Sequence, residues 1–340
     1  MDKNTKKVNP FKRIMAIRGM GQVVTVTVGL IVLLLAFSII NPNFWSGPNR
    51  TNLLRQIVPI LIIGIAQSYV LITGNIDLSI GSVVGMSTMI AATLMSKGIM
   101  SPIPALLVTM VCCLLVGVLN GLLVAKFKLP PFIATLGTMT VARGIAQLVN
   151  GNYNTDSIMK FYPESAQAFK DFFYYGKTLG LYNGIWIAIL LWLVFNFILS
   201  KTKTGRYIYA TGSNIDAARL SGVNVVATTV IAYVVSAFCS FVVGIITCAT
   251  VGQGTMDAGN SYEMYAVAAS VIGGVSTLGG QGILLGTVVG AAIWGTLQNG
   301  LQFAGAPVAI RNIIIGVIVV LSVLMDVVVR TRRRSRKNSD

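Results

Sequence analysis

The sequence has few of the residues on which catalysis and metal binding usually depend. Among its 340 residues there is no histidine, and only 11% are charged, less than half of the roughly 25% typical of soluble domains. No GxxxxGK[ST] loop occurs, and no two carboxylates stand at a spacing typical of an acid–base pair. The cysteines lie inside apolar runs without the CxxC spacing of zinc ligands: Cys112, Cys113, Cys239 and Cys248. We therefore expect no catalytic residues, no metal site and no cofactor.

Long apolar runs dominate the rest of the chain. Hydrophobic residues make up 54% of it, and runs of roughly 17 to 25 residues recur, the length that a helix needs to cross a bilayer. We predict an all-α, polytopic transmembrane helical bundle of about ten spans. The predicted helices are 22–40, 57–73, 78–96, 103–125, 131–149, 182–200, 225–249, 263–278, 283–303 and 308–329.

The formal net charge of +16 is concentrated at the two ends of the chain. A transmembrane domain at 22–329 is thus flanked by basic tails at 1–21 and 330–340. Cytoplasmic loops carry an excess of Lys and Arg, so both termini are expected to be cytoplasmic. Anionic lipid headgroups suffice as partners for these charges, and no nucleic acid is expected.

Two long polar interruptions separate the predicted spans. The topology places 150–181 outside and 201–224 inside, where Lys201, Lys203 and Arg206 agree with the charge rule. Arg50, Arg55 and Lys97 fall outside, against that rule. The outer interruption is either amphipathic and lies along the membrane face or is a simple surface loop.

Small residues at four-residue spacing predict close contacts between helices. Within spans, Gly81 precedes Gly85 and Gly286 precedes Gly290 by this spacing. Glycine at such positions lets two backbones approach closely. We therefore expect tight helix packing at both pairs.

Two carboxylates stand at the starts of predicted spans. Asp77 either caps the helix that follows it, accepting backbone N–H bonds, or serves as a gate or ligand residue, and the two roles can coincide. Glu263 stands where the helix dipole favours a carboxylate, which explains it as well as a transport site does. The glycine-rich stretch VIGGVSTLGGQG (271–282) should break a helix, and irregular backbone at that depth survives only within protein or beside a watery path.

The inner interruption has the pattern of a short helix between turns. Gly205 and Gly212 are expected in turns, Ser213 or Asn214 as a cap, and Gly222 as a stop. The helix would cover Ile215 to Leu220, and Ala217, Ala218 and Leu220 would offer a small apolar face to a groove on a partner, with Asp216 and Arg219 as polar contacts. A basic, solvated loop explains the composition equally well.

Five stretches resemble landmarks of the ribose-type sugar permeases of bacterial ATP-binding-cassette importers, in the family's order. They are NPNFWSGPNRTNLLRQ (41–56), LITGNIDLSIGSVVG (71–85), PPFIATLGTM (130–139), GRYIYATGSNIDAARLSGVN (205–224) and YEMYAVAASVIGGVSTLGGQG (262–282). The resemblance implies a multi-pass subunit of the bacterial inner membrane. It also implies a second permease copy, a cytoplasmic ATP-binding subunit and an extracytoplasmic solute-binding protein as partners.

The resemblance also implies roles for individual residues. Those of the segment that couples to the ATPase are Gly205, Arg206, Gly212, Asn214, Ala217, Ala218, Ser221 and Gly222. Those expected near the solute path or its gate are Asn75, Asp77, Ser79, Glu263, Ser276 and Thr277. Relatives of this type carry pentoses, hexoses, polyols or sugar-like signals, so the family does not fix the substrate.

Two other functions make different demands on the sequence. A secondary transporter driven by an ion gradient would need an ionisable residue at membrane depth, for which Asp77 and Glu263 are the candidates. A membrane transferase acting on lipid-linked substrates would need a cluster of catalytic carboxylates or histidines. The sequence contains no such cluster.

Overall fold

The computed structural model describes residues 20–337, and across this range the chain is almost entirely helical. Besides the helices there are a 3₁₀ turn at Pro42–Trp45, a π-helical turn at Asp171–Tyr175 and a hairpin of β1 (Lys177–Thr178) and β2 (Leu181–Tyr182). The α-helices are α1 (Met20–Ile40), α2 (Gly47–Ile72), α3 (Ile80–Ser96), α4 (Pro102–Ala125), α5 (Pro131–Leu148), α6 (Pro163–Lys170), α7 (Asn183–Lys201), α8 (Lys203–Ser213), α9 (Ile215–Leu220), α10 (Val225–Val251), α11 (Tyr262–Ile272), α12 (Leu284–Phe303) and α13 (Val308–Lys337). The predicted all-α class is confirmed.

Five of these helices are long and apolar enough to cross a membrane by length and composition: α1, α2, α4, α7 and α10. Shorter apolar helices include α3 and α11. A polytopic membrane protein is thus confirmed, whereas the count of ten and the cytoplasmic location of the termini stay predictions. Most of the basic N-terminal tail and the last three residues lie outside the described range, and α13 continues through most of the predicted C-terminal tail.

Three predicted helix boundaries were wrong: the start of α2, the end of α11, and the end of α13, which lies at Lys337 instead of residue 329. Helix α2 begins at Gly47 instead of residue 57, because its polar first turns find partners within the fold. Asn49 is buried and exchanges hydrogen bonds of 3.1 Å with Asn299, while the Arg55 guanidinium lies 4.4 Å from the centre of the Tyr174 ring. Helix α11 ends at Ile272, well before residue 278, since the glycine-rich stretch breaks the helix as its composition indicates.

Helices α2 and α10 form the centre of the bundle. Helix α10 packs against α2, α3 and α4, and α2 also packs against α11 and α12. In the most apolar windows of α2 and α10, 78% and 67% of residues are buried, against 11% in α1 and 22% in α7. The outer helices therefore expose apolar side chains where lipid would cover them.

Hydroxyl groups connect the central helices. Ser68 Oγ on α2 lies 2.8 Å from Thr287 Oγ1 on α12 and donates to Ser270 Oγ on α11 over 3.2 Å. Ser270 Oγ in turn donates to the Gly64 carbonyl of α2 over 2.9 Å. Such interhelical bonds supplement van der Waals packing where the hydrophobic effect between helices is weak.

Both predicted glycine pairs lie at close backbone contacts, but only one pair contacts a helix. A Cβ atom at Gly286 would overlap the Gly273 carbonyl, and one at Gly290 would overlap the Ala269 carbonyl, so α12 touches the backbone of α11. On α3, a Cβ at Gly81 would overlap the Gly259 carbonyl. Tight helix packing is thus confirmed for Gly286 and Gly290, whereas Gly81 contacts the loop before α11 instead of a helix.

The interruption at 150–181 is partly helical rather than a simple loop. Its helix α6 buries Ala166 and Phe169 and exposes Glu164, Ser165 and Gln167. Backbone bonds of 3.0 Å from Thr155 to the Gly254 carbonyl and from Ile158 to the Gly252 carbonyl attach it to the loop after α10. The segment is therefore docked on the bundle.

Candidate functional site

Asp77 is buried among hydrogen-bond donors. It lies in the extended stretch between α2 and α3, with 3% of its surface exposed. Its Oδ1 accepts from the Ser79 backbone N–H over 2.9 Å and from the Ser79 hydroxyl over 2.6 Å, while its Oδ2 accepts from the Ser236 hydroxyl over 2.7 Å. Asp77 thus accepts one backbone N–H, that of Ser79 directly before α3, instead of one from the first turn of the helix as a cap would, and its second oxygen reaches across to α10.

The polar contacts of Asp77 continue through the membrane domain. Asn120 on α4 donates from Nδ2 to the Ser79 hydroxyl over 2.9 Å, and Thr138 on α5 donates to Asn120 Oδ1 over 2.6 Å. Tyr233 on α10 donates to the Ile76 carbonyl over 3.0 Å. We refer to Asp77, Ser79, Asn120, Thr138, Ser236 and Tyr233 as the Asp77 network.

The Asp77 network joins the start of α3 to α4, α5 and α10. All six of its residues are buried, and each has its side-chain bond to another member or to nearby backbone. Satisfied buried polar groups of this kind fix helix positions, because breaking one bond leaves a donor unpaired in an apolar medium. Among the described residues there is no cluster of acids and cysteines that could hold a metal ion.

Sequence reasoning missed four members of this network: Asn120, Thr138, Ser236 and Tyr233. The signal available was the presence of polar side chains inside apolar runs, above all Asn120 within GVLNGLLV. A polar residue in a span is a functional or packing candidate by default. Its partner, however, lies 41 residues away along the chain.

Asn75 is separated from the Asp77 network. It is half-buried, and its Nδ2 donates to Thr73 Oγ1 over 2.8 Å. It lines a cavity of about 870 Å³ together with Lys128, Asn214 and Arg219. The structure therefore places one predicted path residue beside the predicted coupling segment.

Glu263 lies in the first turn of α11, as the dipole argument predicts, and packs against α3. A Cβ at Gly81 would overlap its carboxylate, and one at Gly85 would lie 2.8 Å from Nη1 of Arg143. That guanidinium nitrogen donates to the carbonyls of Met256 and Ala258 over 2.9 and 2.8 Å. Glu263 thus lies beside Gly81, with Arg143 and the loop before α11.

Ser276 and Thr277 lie in the tight turn that follows α11. Ser276 is fully buried; its N–H donates to the Gln281 carbonyl over 2.9 Å and its Oγ accepts from the Leu278 N–H over 3.1 Å. Thr277 is half-buried. The structure therefore divides the predicted path residues among four places: the cavity lined by Asn75, the Asp77 network, the α11 start with Arg143, and this turn.

The inner segment forms two helices, α8 and α9, where one was predicted. Asn214 caps α9, accepting from the N–H groups of Asp216 and Ala217 over 3.0 and 2.9 Å. Gly222 follows the end of α9 with φ of +80°. The bounds and the cap of α9 agree with the prediction, and Asn214 rather than Ser213 provides the cap.

Gly205 and Gly212 were expected in turns, and this was wrong because both lie inside α8. Thr202 caps this helix by accepting from the Gly205 N–H over 3.3 Å. A Cβ at Gly205 would overlap the Leu199 carbonyl, so this glycine permits the sharp change of direction between α7 and α8. Both glycines therefore serve close approach within a helix rather than a turn.

The apolar face expected on α9 is arranged differently from the prediction. Ala218 is only 4% exposed and points into the chain, whereas Leu220 is 90% exposed and Ala217 is exposed too. Asp216 and Arg219 are exposed, with 3.5 Å between their charged groups. Arg206, Asn214, Ser221 and Gly222 are exposed as well. The surface available to a partner thus contains Leu220 and Ala217 but not Ala218.

Four glycines bring three chain segments together at the end of α8. A Cβ at Gly212 would overlap the Ile72 carbonyl, which itself accepts from the Gly280 N–H over 2.9 Å. A Cβ at Gly279 would lie 2.7 Å from the Gly212 carbonyl and 2.9 Å from Gly74 Cα. We call Gly74, Gly212, Gly279 and Gly280 the glycine junction. It connects α8 to the end of α2 and to the turn after α11.

Comparison with known proteins finds a family and relatives that match most of the chain. The family described as "Branched-chain amino acid transport system / permease component" matches residues 49–323. The chain is 37% identical over 311 residues to the ribose import permease protein RbsC of Haemophilus influenzae, across 90% of this chain and 93% of that protein.

Two further relatives show the same extent of similarity. Identity is 34% over 299 residues to RbsC of Bacillus subtilis, covering 88% and 90% of the two chains. It is 33% over 312 residues to the galactose/methyl galactoside import permease protein MglC of H. influenzae, covering 87% and 92%. No solved structure matches the chain significantly. The chain therefore belongs to the ribose-type permease family of bacterial ATP-binding-cassette importers, as a multi-pass subunit of the inner membrane and not an enzyme.

Proposed function

We propose that this chain forms the path by which a sugar or similar small polar solute crosses the membrane, and that the segment 201–224 couples the path to a separate ATPase. The relatives named for ribose and galactose support the substrate class. The partners are a cytoplasmic ATP-binding subunit, an extracytoplasmic solute-binding protein and a second permease copy. The tails at 1–21 and 330–340 face anionic lipid on the cytoplasmic side.

The observation that carries the coupling role is the exposure of Leu220 at the end of α9. A leucine that is 90% exposed gains about 1.5–3 kcal/mol when a partner buries it. The helix that presents it has a side-chain cap and is anchored by buried Ala218, so its position is defined before any partner binds. A short helix with an apolar tip fits a groove on a partner.

The proposed path includes the Asp77 network and the turn that carries Ser276 and Thr277. Hydroxyl and amide groups are the donors and acceptors with which a polyhydroxylated solute forms hydrogen bonds. Glu263, half-buried at the start of α11, is proposed as a gate residue at the end of the path away from the coupling segment. There Arg143 organises the adjacent loop. Asn75 would line the end of the path that adjoins the coupling segment.

The test compares Leu220→Glu with Leu179→Glu in the reconstituted complex. Leu179 is 87% exposed in the hairpin predicted to lie outside, so it controls for the chemistry of the substitution. Burying an unpaired carboxylate costs several kcal/mol, so Leu220→Glu should lower ATPase binding by about a hundredfold or more and abolish solute-stimulated ATP hydrolysis.

The control variant should retain the binding and stimulation of the wild type. Normal ATPase binding and stimulation in Leu220→Glu would contradict the proposed coupling role. Ala218→Glu is not suited to this test, because it places a charge inside the chain and would disturb the folding of α9 itself.

A further inference from the structure

We infer that Gly212 is a positioning residue that transmits movement of α8 and α9 to the transport path by direct contact of main chains. This inference rests on the proposed coupling function and names the connection between the two ends of that function. Gly212 lies within the coupling segment and contacts two irregular stretches of the membrane domain. One follows α2 and leads to Asp77, and the other follows α11 and carries Ser276.

The contact at Gly212 has no room for a side chain. Its position against the Ile72 carbonyl leaves less than a van der Waals distance for any Cβ. The same carbonyl accepts the Gly280 N–H over 2.9 Å, so α8, α2 and the turn meet at one oxygen atom. Two stretches of main chain in direct contact transmit displacement without the slack of a rotating side chain.

The turn side of the junction is equally constrained. Gly279 and Gly280 have φ of +82° and +68°, a region that glycine enters without the strain other residues would incur. A Cβ at Gly280 would lie 2.9 Å from Ser213 Cα, immediately after Gly212. Both glycines are therefore needed for the turn to reach α8.

A hydrogen bond adds a second connection beside the junction. The Tyr209 hydroxyl on α8 donates to the Gly282 carbonyl over 2.6 Å, one turn of helix away from Gly212. Tyr209 and Gly212 thus hold α8 to the same loop at two points. Two points of attachment prevent the loop from pivoting freely when α8 moves.

This arrangement predicts that α9 and the turn move as one unit when ATP binds. Ile215 on α9 and Leu278 in the turn are exposed, at 46% and 51%, so spin labels there leave both the junction and the proposed Leu220 contact with the ATPase intact. The distance between the labels should be the same in the nucleotide-free and ATP-bound complexes, measured with labelled permease diluted by unlabelled chain. A shift of that distance in the otherwise wild-type complex would overturn the inference.

The matched substitutions are Gly212→Ala and Gly137→Ala, since a Cβ at Gly137 meets nothing within 4 Å. The Gly212→Ala variant should still bind the ATPase subunit and keep basal ATP hydrolysis. Its rate of solute transport should fall by about tenfold or more, because coupling between the two sites is lost. Gly137→Ala should behave as the wild type. Wild-type transport by Gly212→Ala would refute the inference.

Tyr209→Phe keeps the test decisive if Gly212→Ala does not fold. It removes only the hydroxyl that donates to the turn. We expect the rate of solute transport to fall by about threefold to tenfold, with unchanged ATPase binding. Unchanged transport in Tyr209→Phe, combined with a shifting label distance, would overturn the inference. Loss of ATPase binding in Leu220→Glu is independent of these outcomes, so failure of the junction and failure of the coupling role are distinguishable.

Discussion

Replacement of Asp77 separates a structural role of this carboxylate from a role in transport. Asp77→Ala removes the acceptor of three bonds, from the Ser79 N–H, the Ser79 hydroxyl and the Ser236 hydroxyl. A buried donor left without a partner costs about 1–3 kcal/mol. Three unpaired donors would together cost about 3–9 kcal/mol. Because the two hydroxyls can turn to backbone carbonyls, we expect the free energy of unfolding to fall by an amount in the lower part of that range, about 3–6 kcal/mol.

Asp77→Asn should cost much less. The amide oxygen can keep both bonds from Ser79, and the amide nitrogen can donate to the Ser236 hydroxyl, which is able to accept. What is lost is the additional strength of bonds to a charged acceptor, about 1–2 kcal/mol in total. Ser236→Ala, which removes one bond and leaves the charge, should fall in the same range.

The assay combines thermal unfolding of the three purified variants in one detergent with solute transport by the reconstituted complex. From highest to lowest, the expected order of melting temperatures is wild type, then Asp77→Asn and Ser236→Ala together, then Asp77→Ala. If Asp77→Asn melts as early as Asp77→Ala, the bond-by-bond reasoning is refuted, since only the charge would then matter.

Transport by Asp77→Asn then decides the role. If the carboxylate only holds Ser79 and α10 in place, transport should stay within about twofold of the wild type. A large loss of transport in a stable Asp77→Asn variant would assign Asp77 to the gate or path. Transport that ceases on neutralisation and proceeds in the wild type without ATP would favour the ion-driven alternative.

Three further outcomes follow from the geometry. Gly290→Ala, whose Cβ overlaps the Ala269 carbonyl, should lower the melting temperature, whereas Gly29→Ala, which meets nothing within 4 Å, should not. After replacement of the native cysteines, an impermeant reagent on intact cells should label Leu179→Cys and miss Leu220→Cys; the reverse would contradict the topology. Arg143→Gln removes two bonds to the loop before α11 and should speed its amide exchange, with exchange in the core unchanged.

Hydropathy predicted the helical class and most of the helices because bilayer thickness imposes a length on each span. It failed at the start of α2, where Asn49 and Arg55 read as a loop. These side chains are tolerated in a helix because Asn299 and Tyr174 supply their partners. Both partners are more than a hundred residues away along the chain, so no local pattern could have revealed them.

The candidate site was predicted less completely than the fold for the same reason. Asp77 and Asn214 were predicted to accept backbone N–H bonds, since capping depends on neighbours in sequence. Ser236 and Asn120 were missed because their importance depends on where α10 and α4 lie in the bundle. The inward orientation of Ala218 likewise depends on the packing of α9 against the chain behind it.

Glycine shows most clearly what separates a local pattern from a tertiary role. In the sequence Gly212 reads as a turn, because glycine is common there and its neighbours are polar. In the structure it is helical, and its value lies in the absence of a side chain opposite Ile72 and Gly280. A polar network such as that of Asp77 tolerates exchange of one hydrogen-bonding group for another, whereas a main-chain contact tolerates no added atom. Hydroxyls and amides thus position the helices within the membrane, whereas the glycine junction holds α8 against these helices at a fixed distance.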